Sequence, residues 1–405
     1  MNSLLAKVIT TIHKLKANRH VIIQRLMLGL LGVGGGLLLV EVGLHLFPSL
    51  LPPVVRQALA IYTDFHQTSD LNRPFSVDRE LIYVPRPNVD LEIHDGLTLQ
   101  YTVRTRSLGD PGIGFRDIGA IRPTYAVAVG DSFTWGTYVE AEQTWPEQLQ
   151  AEVGAPIINL GVLGYGPIQY QIITQKYGLP LEPRLVLWGI FSGNDFVNST
   201  DYVQWEQAGK PDTWLKKPEP GVFEWLSRHV RLYELLKFSL HAGIYYQRLA
   251  SPEVVRVPAL GGPDWAFYPD ILERQAASRR PEVAAGWQLT QQALLTTAAN
   301  VQAAGATFVV VIIPPKELIY WDILRPRLAD PTGYDLTEPI RTLMEFCAAQ
   351  KFLCLDLTPA FAEQTRAGQE LYFRQDAHLN PAGYHLAAQL IAAYLNQRKL
   401  SPLVR

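Results

Sequence analysis

Short apolar runs separated by segments of helical periodicity organise the chain from Tyr125 onward. Runs rich in Val, Ile and Leu occupy 125–130, 156–160, 184–191, 307–313 and 353–357. Each reads as a strand covered on both faces, since a half-exposed strand would alternate apolar with polar positions. Between and after them the apolar spacing predicts helices that include 144–152, 168–177, 286–303, 337–349 and 381–397. In the third of these, Leu294, Ala298 and Val301 share a face, and Gly305 stands where a helix C-terminus favours glycine. In the last, Asn380 suits the N-cap and Pro381 the first turn, with Leu386, Leu390 and Tyr394 as the expected inner stripe. Strands alternating with helices imply a parallel sheet covered on both sides, an α/β three-layer sandwich of flavodoxin-like plan.

The remaining pattern divides the rest of the chain. Residues 21–47 form an apolar stretch without a charge from Leu26 to Val40, bounded by Arg25 and Glu41. It can span the ~30 Å of a bilayer's hydrocarbon. Lys7, Lys14, Lys16, Arg19 and Arg25 precede the core of the stretch with no acidic residue among them, and after Glu41 the next charge is Arg56. The positive-inside bias then puts residues 1–20 in the cytoplasm and everything beyond the span outside. A cleaved signal peptide is the rival reading, but no small-residue cleavage site follows the run. Residues 48–80 read as a linker with short helical patches and 81–117 as β, with Leu97, Leu99, Tyr101 and Val103 alternating with polar neighbours. Together, 48–120 make a linker and β-rich segment ahead of a domain at 121–398.

Residues 196–285 interrupt the sandwich as a long insertion holding Trp205, Trp214, Trp225, Trp265 and many prolines. A helix at 222–240 is expected there, with Phe223, Leu226, Val230, Tyr233 and Leu236 or Leu240 on one side. An insertion after a sheet strand is expected to cap the open edge of the sheet; the alternatives are a packed decoration, or a patch on the membrane or a partner. Arg116 is expected to form a structural salt bridge.

Net charge is −2, so nothing draws the chain to nucleic acid. Cys347 and Cys354 are the only cysteines. They read either as two small buried residues or as a disulfide formed in an oxidising compartment. The nine histidines are scattered without metal-ligand spacing, so no metal is implied.

Two distant motifs carry the chemistry. Gly130-Asp131-Ser132 places a hydroxyl where the first buried strand turns, and Asp376-Ala377-His378 supplies an imidazole with a carboxylate two residues away. A serine hydroxyl becomes a nucleophile when a base takes its proton, and an imidazole is a better base when a carboxylate orients it. Glycine-containing turns follow two more strands, at 159–166 and at Ser192-Gly193-Asn194-Asp195. Turns after parallel strands gather on one edge of the sheet. A glycine N–H, the Asn194 amide and the Ser132 N–H would there make a three-donor oxyanion hole. No Gly-x-Ser-x-Gly elbow occurs, which argues against an α/β-hydrolase. Acyl transfer at a serine needs no cofactor.

These four blocks, in this order, resemble the SGNH (GDSL-type) hydrolase superfamily over roughly residues 120 to 398. The resemblance implies Ser132 as nucleophile, Gly164 and Asn194 as oxyanion donors with the Ser132 N–H, and Asp376 and His378 as the rest of a triad. Most of the superfamily spaces its acid and base as Asp-x-x-His, which would need an Asp at Gln375. Asp-x-His instead resembles the alginate O-acetyltransferase branch. So does the segment from Pro314-Pro315-Lys316 to Tyr320. Lys316, Tyr320 and Trp321 follow a strand end and are expected either to line the pocket or to pack as ordinary loop residues. In that branch, however, Asp-x-His precedes the serine, and here it follows. The expected activity is therefore that of an extracytoplasmic, membrane-anchored serine esterase acting on an acyl ester or acetylated glycan. An O-acetyltransferase working with envelope polysaccharide machinery is the second reading, and a non-catalytic scaffold in an export assembly the third.

Overall fold

In the computed structural model the described residues are 2–47, 74–95, 99–108, 112–116, 124–211, scattered positions from 222 to 239, 255–259, 264–268, 271–272, 280–328 and 330–402. The chain divides into two compact units, one of Met1–Thr63 with Lys217–Tyr245 and one of Asp64–Lys216 with Tyr246–Arg405.

The larger unit is built on five parallel strands, Ala126–Gly130, Ile157–Asn159, Leu185–Phe191, Thr307–Ile313 and Leu353–Asp356, at the expected positions. In space their order by sequence rank is 5-4-3-1-2. This is the flavodoxin order, whose chain direction reverses between strands one and three. The two central strands are buried at every residue, which is why they read as unbroken apolar runs. Their side chains, and those of Thr307–Ile313 beside them, alternate between two cores. Ala126, Ala128, Leu187 and Val311 face one side; Val127, Val129, Trp188 and Val310 face the other.

Helices Trp145–Val153 and Pro381–Gln397 cover the first core through Leu149, Ala387, Ile391 and Leu395. Helices Pro167–Ile173, Pro281–Ala303 and Glu338–Gln350 cover the second. The inner stripe of the last helix is Tyr384, Ala387, Ala388, Ile391 and Leu395. Leu386, Leu390 and Tyr394 are only partly buried at its margin, one position away from the expected stripe.

Three expectations are corrected. The stretch expected as linker up to residue 80 contains the strand Phe75–Asp78, paired with Ile82–Pro85; its expected helical patches lie largely outside the described residues. Residues Asp195–Gln207, taken as the start of the insertion, are a helix of the framework. There Phe196, Ser199, Tyr202 and Trp205 form a buried stripe on a mostly polar sequence. Helix Pro281–Ala303 crosses it so closely that a Cβ on Gly286 would stand 1.9 Å from the Phe196 carbonyl oxygen. Arg116, finally, forms no salt bridge among the described residues. It is fully buried and donates to the carbonyls of Thr102 (2.9 Å), Trp135 (3.0 Å), Gly136 and Val139. It thereby fastens the β-rich segment to the loop that follows Ser132. The alternating strand is present as Leu99–Arg104, with Tyr101 and Val103 buried. Cys347 and Cys354 form a disulfide with Cα atoms 6.3 Å apart.

The smaller unit contains the helix Asn2–Leu46. Within it Ile23–Leu46 is long and apolar enough to cross a membrane, as a signal sequence also would be. Of the helix expected at 222–240, the described residues Val222, Leu226, Arg231–Tyr233, Leu235, Leu236 and Ser239 are helical, but Val230 is not, so the expected single helix is interrupted there.

Candidate active site

The first sheet strand ends at Gly130. Asp131 then caps a single helical turn, Ser132–Trp135, by accepting the Phe133 N–H at 2.9 Å. This places Ser132 half-buried at the carboxyl edge of the sheet, beside the topological switch point. The turn lies tight on the neighbouring loop: a Cβ on Gly161 would stand 2.4 Å from the Trp135 nitrogen. Only glycine leaves room there.

His378 arrives from the opposite end of the sequence. Its Nε2 lies 2.8 Å from the Ser132 hydroxyl, and its Nδ1 lies 2.6 Å from Asp376 Oδ1. The same carboxylate oxygen accepts the His378 backbone N–H at 2.7 Å. The two-residue spacing therefore lets one aspartate cap its own turn and reach the imidazole. A carboxylate only accepts, so Nδ1 carries the proton and Nε2 presents its lone pair to the hydroxyl. Burial alone would push the Asp376 carboxyl up. The His378 ring, the bonds from His378 and the Lys316 ammonium outweigh it and hold the carboxyl below its usual range. Phe133 supports the imidazole from the core side at 4.9 Å between centroids, itself stacked on Phe191 at 3.9 Å. Tyr138, held at φ 65°, stands edge-on to the same ring at 5.6 Å.

Gly164 and Asn194 stand on loops that follow the two strands flanking Ser132's own, at the same sheet edge. Gly164 is exposed and needs its positive φ of 68°, which a side chain would strain. Asn194 occupies the N-cap position of helix Asp195–Gln207 without spending its side chain on the cap.

Lys316 and Tyr320 are not where a pocket lining would put them. Lys316 is fully buried, and its ammonium donates to the carbonyls of Ala266, Arg374 and Asp376 at 2.8, 2.8 and 2.9 Å. An ammonium has three protons, so all are used inside the protein. Ala266 belongs to the strand Trp265–Phe267, which pairs with Val255–Val257 in the far end of the insertion. The Ala266 N–H in turn donates to the Arg374 carbonyl at 2.8 Å, and the Tyr268 hydroxyl to the Gln375 carbonyl at 2.7 Å. The insertion hairpin thus packs directly on the loop that carries Asp376 and His378. Tyr320 is buried against Trp265 and accepts the Leu371 N–H. Trp321 is half-buried and packed on the first core.

The acids of the two strand-end motifs, Asp131 and Asp195, are both buried, and Asp195 fixes its turn as its place beside Asn194 suggests. Asp195 is fully buried; its Oδ2 accepts the Tyr170 hydroxyl (2.9 Å) and the Phe191 N–H (3.0 Å). Its Oδ1 has no hydrogen-bond partner. Burial, then the nearby Asp131 charge, raise its carboxyl well above the usual value. Burial likewise raises Asp131, to about 6. A carboxyl raised in the folded state holds its proton there after the unfolded chain has released it. It therefore lowers stability as pH climbs from the unfolded value toward the folded one. Asp195→Asn keeps an acceptor for Tyr170 and removes that penalty. Its melting temperature should match the parent's near pH 4 and exceed it increasingly toward pH 8. A constant difference across that range would show that Asp195 does not titrate in the folding transition.

Residues 259–404 match the family model described as the SGNH hydrolase-like domain of the acetyltransferase AlgX. The match includes Lys316, Asp376 and His378; Ser132 lies outside it. No curated protein sequence matches the chain. Among solved structures, a putative lipolytic protein of the G-D-S-L family from Desulfitobacterium hafniense is 13% identical, with a TM-score of 0.36 over 67% of this chain and 99% of that one. A catalytic mutant of an acetylxylan esterase from Geobacillus stearothermophilus is 10% identical, with a TM-score of 0.37 over 69% and 95%. A GDSL-like lipase from Bacteroides thetaiotaomicron is 12% identical, with a TM-score of 0.34 over 69% and 91%.

Proposed function

We propose that this chain, an SGNH hydrolase-like enzyme of ester bonds, is a membrane-anchored, extracytoplasmic serine esterase acting on acyl or acetyl esters. The observation that carries the reading is the unbroken row from the Ser132 hydroxyl through His378 to Asp376 at 2.8 and 2.6 Å. Ser132 Oγ attacks the ester carbonyl while Nε2 takes its proton. The tetrahedral oxyanion is held by the N–H groups of Ser132 and Gly164 and the Asn194 amide. His378 then protonates the departing alkoxide, leaving an acyl-serine. Water, deprotonated by the same imidazole, releases the acid and restores the hydroxyl.

The match to an acetyltransferase family model, together with the Asp-x-His spacing, favours a second reading on the same residues. A sugar hydroxyl of an exported polysaccharide would then replace water as the acceptor. The two are separated by incubating the detergent-solubilised chain with an activated acyl ester, with and without candidate glycans. Free acid alone supports the esterase, acyl-glycan the transferase, and no ester turnover in either arm sinks both.

The basic N-terminus ahead of Ile23–Leu46 supports anchoring with the larger unit outside. The Cys347–Cys354 disulfide supports an oxidising compartment. A C-terminal reporter that works only outside the cytoplasm tests this topology; a silent reporter in cells that make the full chain would reverse it. For the oxyanion hole, Asn194→Ala is expected to lower kcat by on the order of 10²–10³-fold with KM little changed. A raised KM with kcat intact would make Asn194 a ground-state binding residue instead.

A further inference from the structure

We propose that the described residues from Val222 to Ser239, in the middle of the long insertion, form a second membrane-contacting element that lies among lipid headgroups beside the anchor helix. The proposal rests on the anchor reading above and adds to it a surface that the catalytic chemistry does not use.

The observation that points there is Glu41. It is the acidic residue inside the apolar helix segment Ile23–Leu46, five residues from its end. At the rise of an α-helix that is about 8 Å, which puts the carboxylate at the boundary between hydrocarbon and headgroups. An acid at that depth is costly unless its charge is partnered. Glu41 is partnered from two sides: His45 Nδ1, one helical turn on, lies 3.2 Å from Oε1, and in the insertion Oε1 accepts the Arg231 N–H at 2.6 Å and Oε2 the Leu232 N–H at 2.7 Å. These residues open a helical stretch, so their N–H groups have no acceptor within the helix and form the positive end of its dipole. The carboxylate ties the insertion to the outer end of the span, and residues 217–245 belong to the same compact unit as the span.

The sequence of the tied segment fits the interfacial zone. Trp225 and Tyr233 are the amphipathic aromatics that favour the headgroup level, and Phe223 and Phe238 add apolar rings beside them in the sequence. Arg228, Arg231 and Lys237 outnumber Glu224 and Glu234, a balance that suits anionic lipid. On the same segment Val222 is 64% and Leu236 57% exposed. Large aliphatic side chains left this open, on a segment bonded to the end of an apolar helix, have the bilayer as their complementary partner. Because the insertion leaves and re-enters the larger unit, this element gives the enzyme a second covalent tether to the membrane in addition to the anchor.

The test uses the full chain reconstituted into vesicles of phosphatidylcholine and phosphatidylglycerol. Single cysteines are introduced as Leu38→Cys, Leu236→Cys and Leu295→Cys, and each carries a nitroxide. The native cysteines are paired and do not compete for label. Leu38 lies in the span and Leu295 on helix Pro281–Ala303, where they are 64% and 43% exposed. The labels at 38 and 236 should collide more often with dissolved oxygen, which partitions into lipid, than with a water-soluble nickel chelate. The label at 295 should show the reverse. A label at 236 that behaves like that at 295, while that at 38 reports lipid, overturns this proposal and leaves the anchor standing. A label at 38 that reports water overturns the anchor reading and this one with it. A label at 236 sheltered from both reagents means that protein covers the segment, which also overturns the proposal.

Discussion

Ser132→Ala is expected to reduce turnover of an activated acyl ester to background, a loss on the order of 10⁵–10⁶-fold in kcat. The variant should melt as the parent does. The hydroxyl's main contacts are His378 Nε2 at 2.8 Å and, more weakly, Asp131 Oδ2 at 3.3 Å, so its removal opens no hole in either core. The cap that holds the turn is Asp131 to the Phe133 N–H and does not involve the serine side chain. A serine-directed phosphonate should label Ser132 in the parent and leave the variant unmodified. Turnover retained in a purified variant would mean that another residue is the nucleophile, and the assignment of all three triad members would fall with it.

Asp376→Asn should cost on the order of 10³–10⁴-fold in kcat, again with melting little changed. The amide oxygen can still accept the His378 backbone N–H, so the turn survives. What is lost is a group that can only accept: the amide can offer its NH₂ to Nδ1, which moves the ring proton to Nε2 and points a donor at Ser132. The negative charge that stabilises the imidazolium is lost as well. Adding Gln375→Asp should not restore the rate, because the Gln375 peptide is held by the Tyr268 hydroxyl at 2.7 Å and cannot easily turn to bring a new carboxylate to Nδ1. If Ser132 and His378 worked as a dyad, Asp376→Asn would lose less than about tenfold, under ~1.4 kcal/mol. A loss that small at unchanged melting temperature would withdraw Asp376 from the chemistry and keep the other two.

The parts of this molecule that were legible in the sequence are those in which a side chain reports its own surroundings. The five sheet strands are apolar because both faces are covered, and the glycine turns follow because loops at the sheet edge must bend sharply. Ser132, Asp376 and His378 were legible because their functional-group types and turn contexts are unusual together. Lys316 was misread for the opposite reason. Its acceptors are backbone carbonyls at 266, 374 and 376, and a carbonyl leaves no mark on the residue type that bears it. Arg116 is the same case: its partners are four carbonyls rather than the carboxylate that its charge suggested. Helix Asp195–Gln207 was hidden because much of its sequence is polar, and its packing against helix Pro281–Ala303 depends on Gly286, which has no side chain to signal it.

The three bonds of Lys316 set limits on how this enzyme can be recombined. A chimaera that exchanged the insertion for that of a relative would keep the loop of Asp376 and His378 in register only if the seam fell before Val255, leaving the strand that bears Ala266 native. A seam placed beyond Phe267 would hand the ammonium a foreign backbone, and the misfit would be felt at Asp376 rather than at the graft. The strands Val255–Val257 and Trp265–Phe267 thus belong with the loop that carries Asp376 and His378, and an exchange confined to residues 208–254 leaves the partners of Lys316 native.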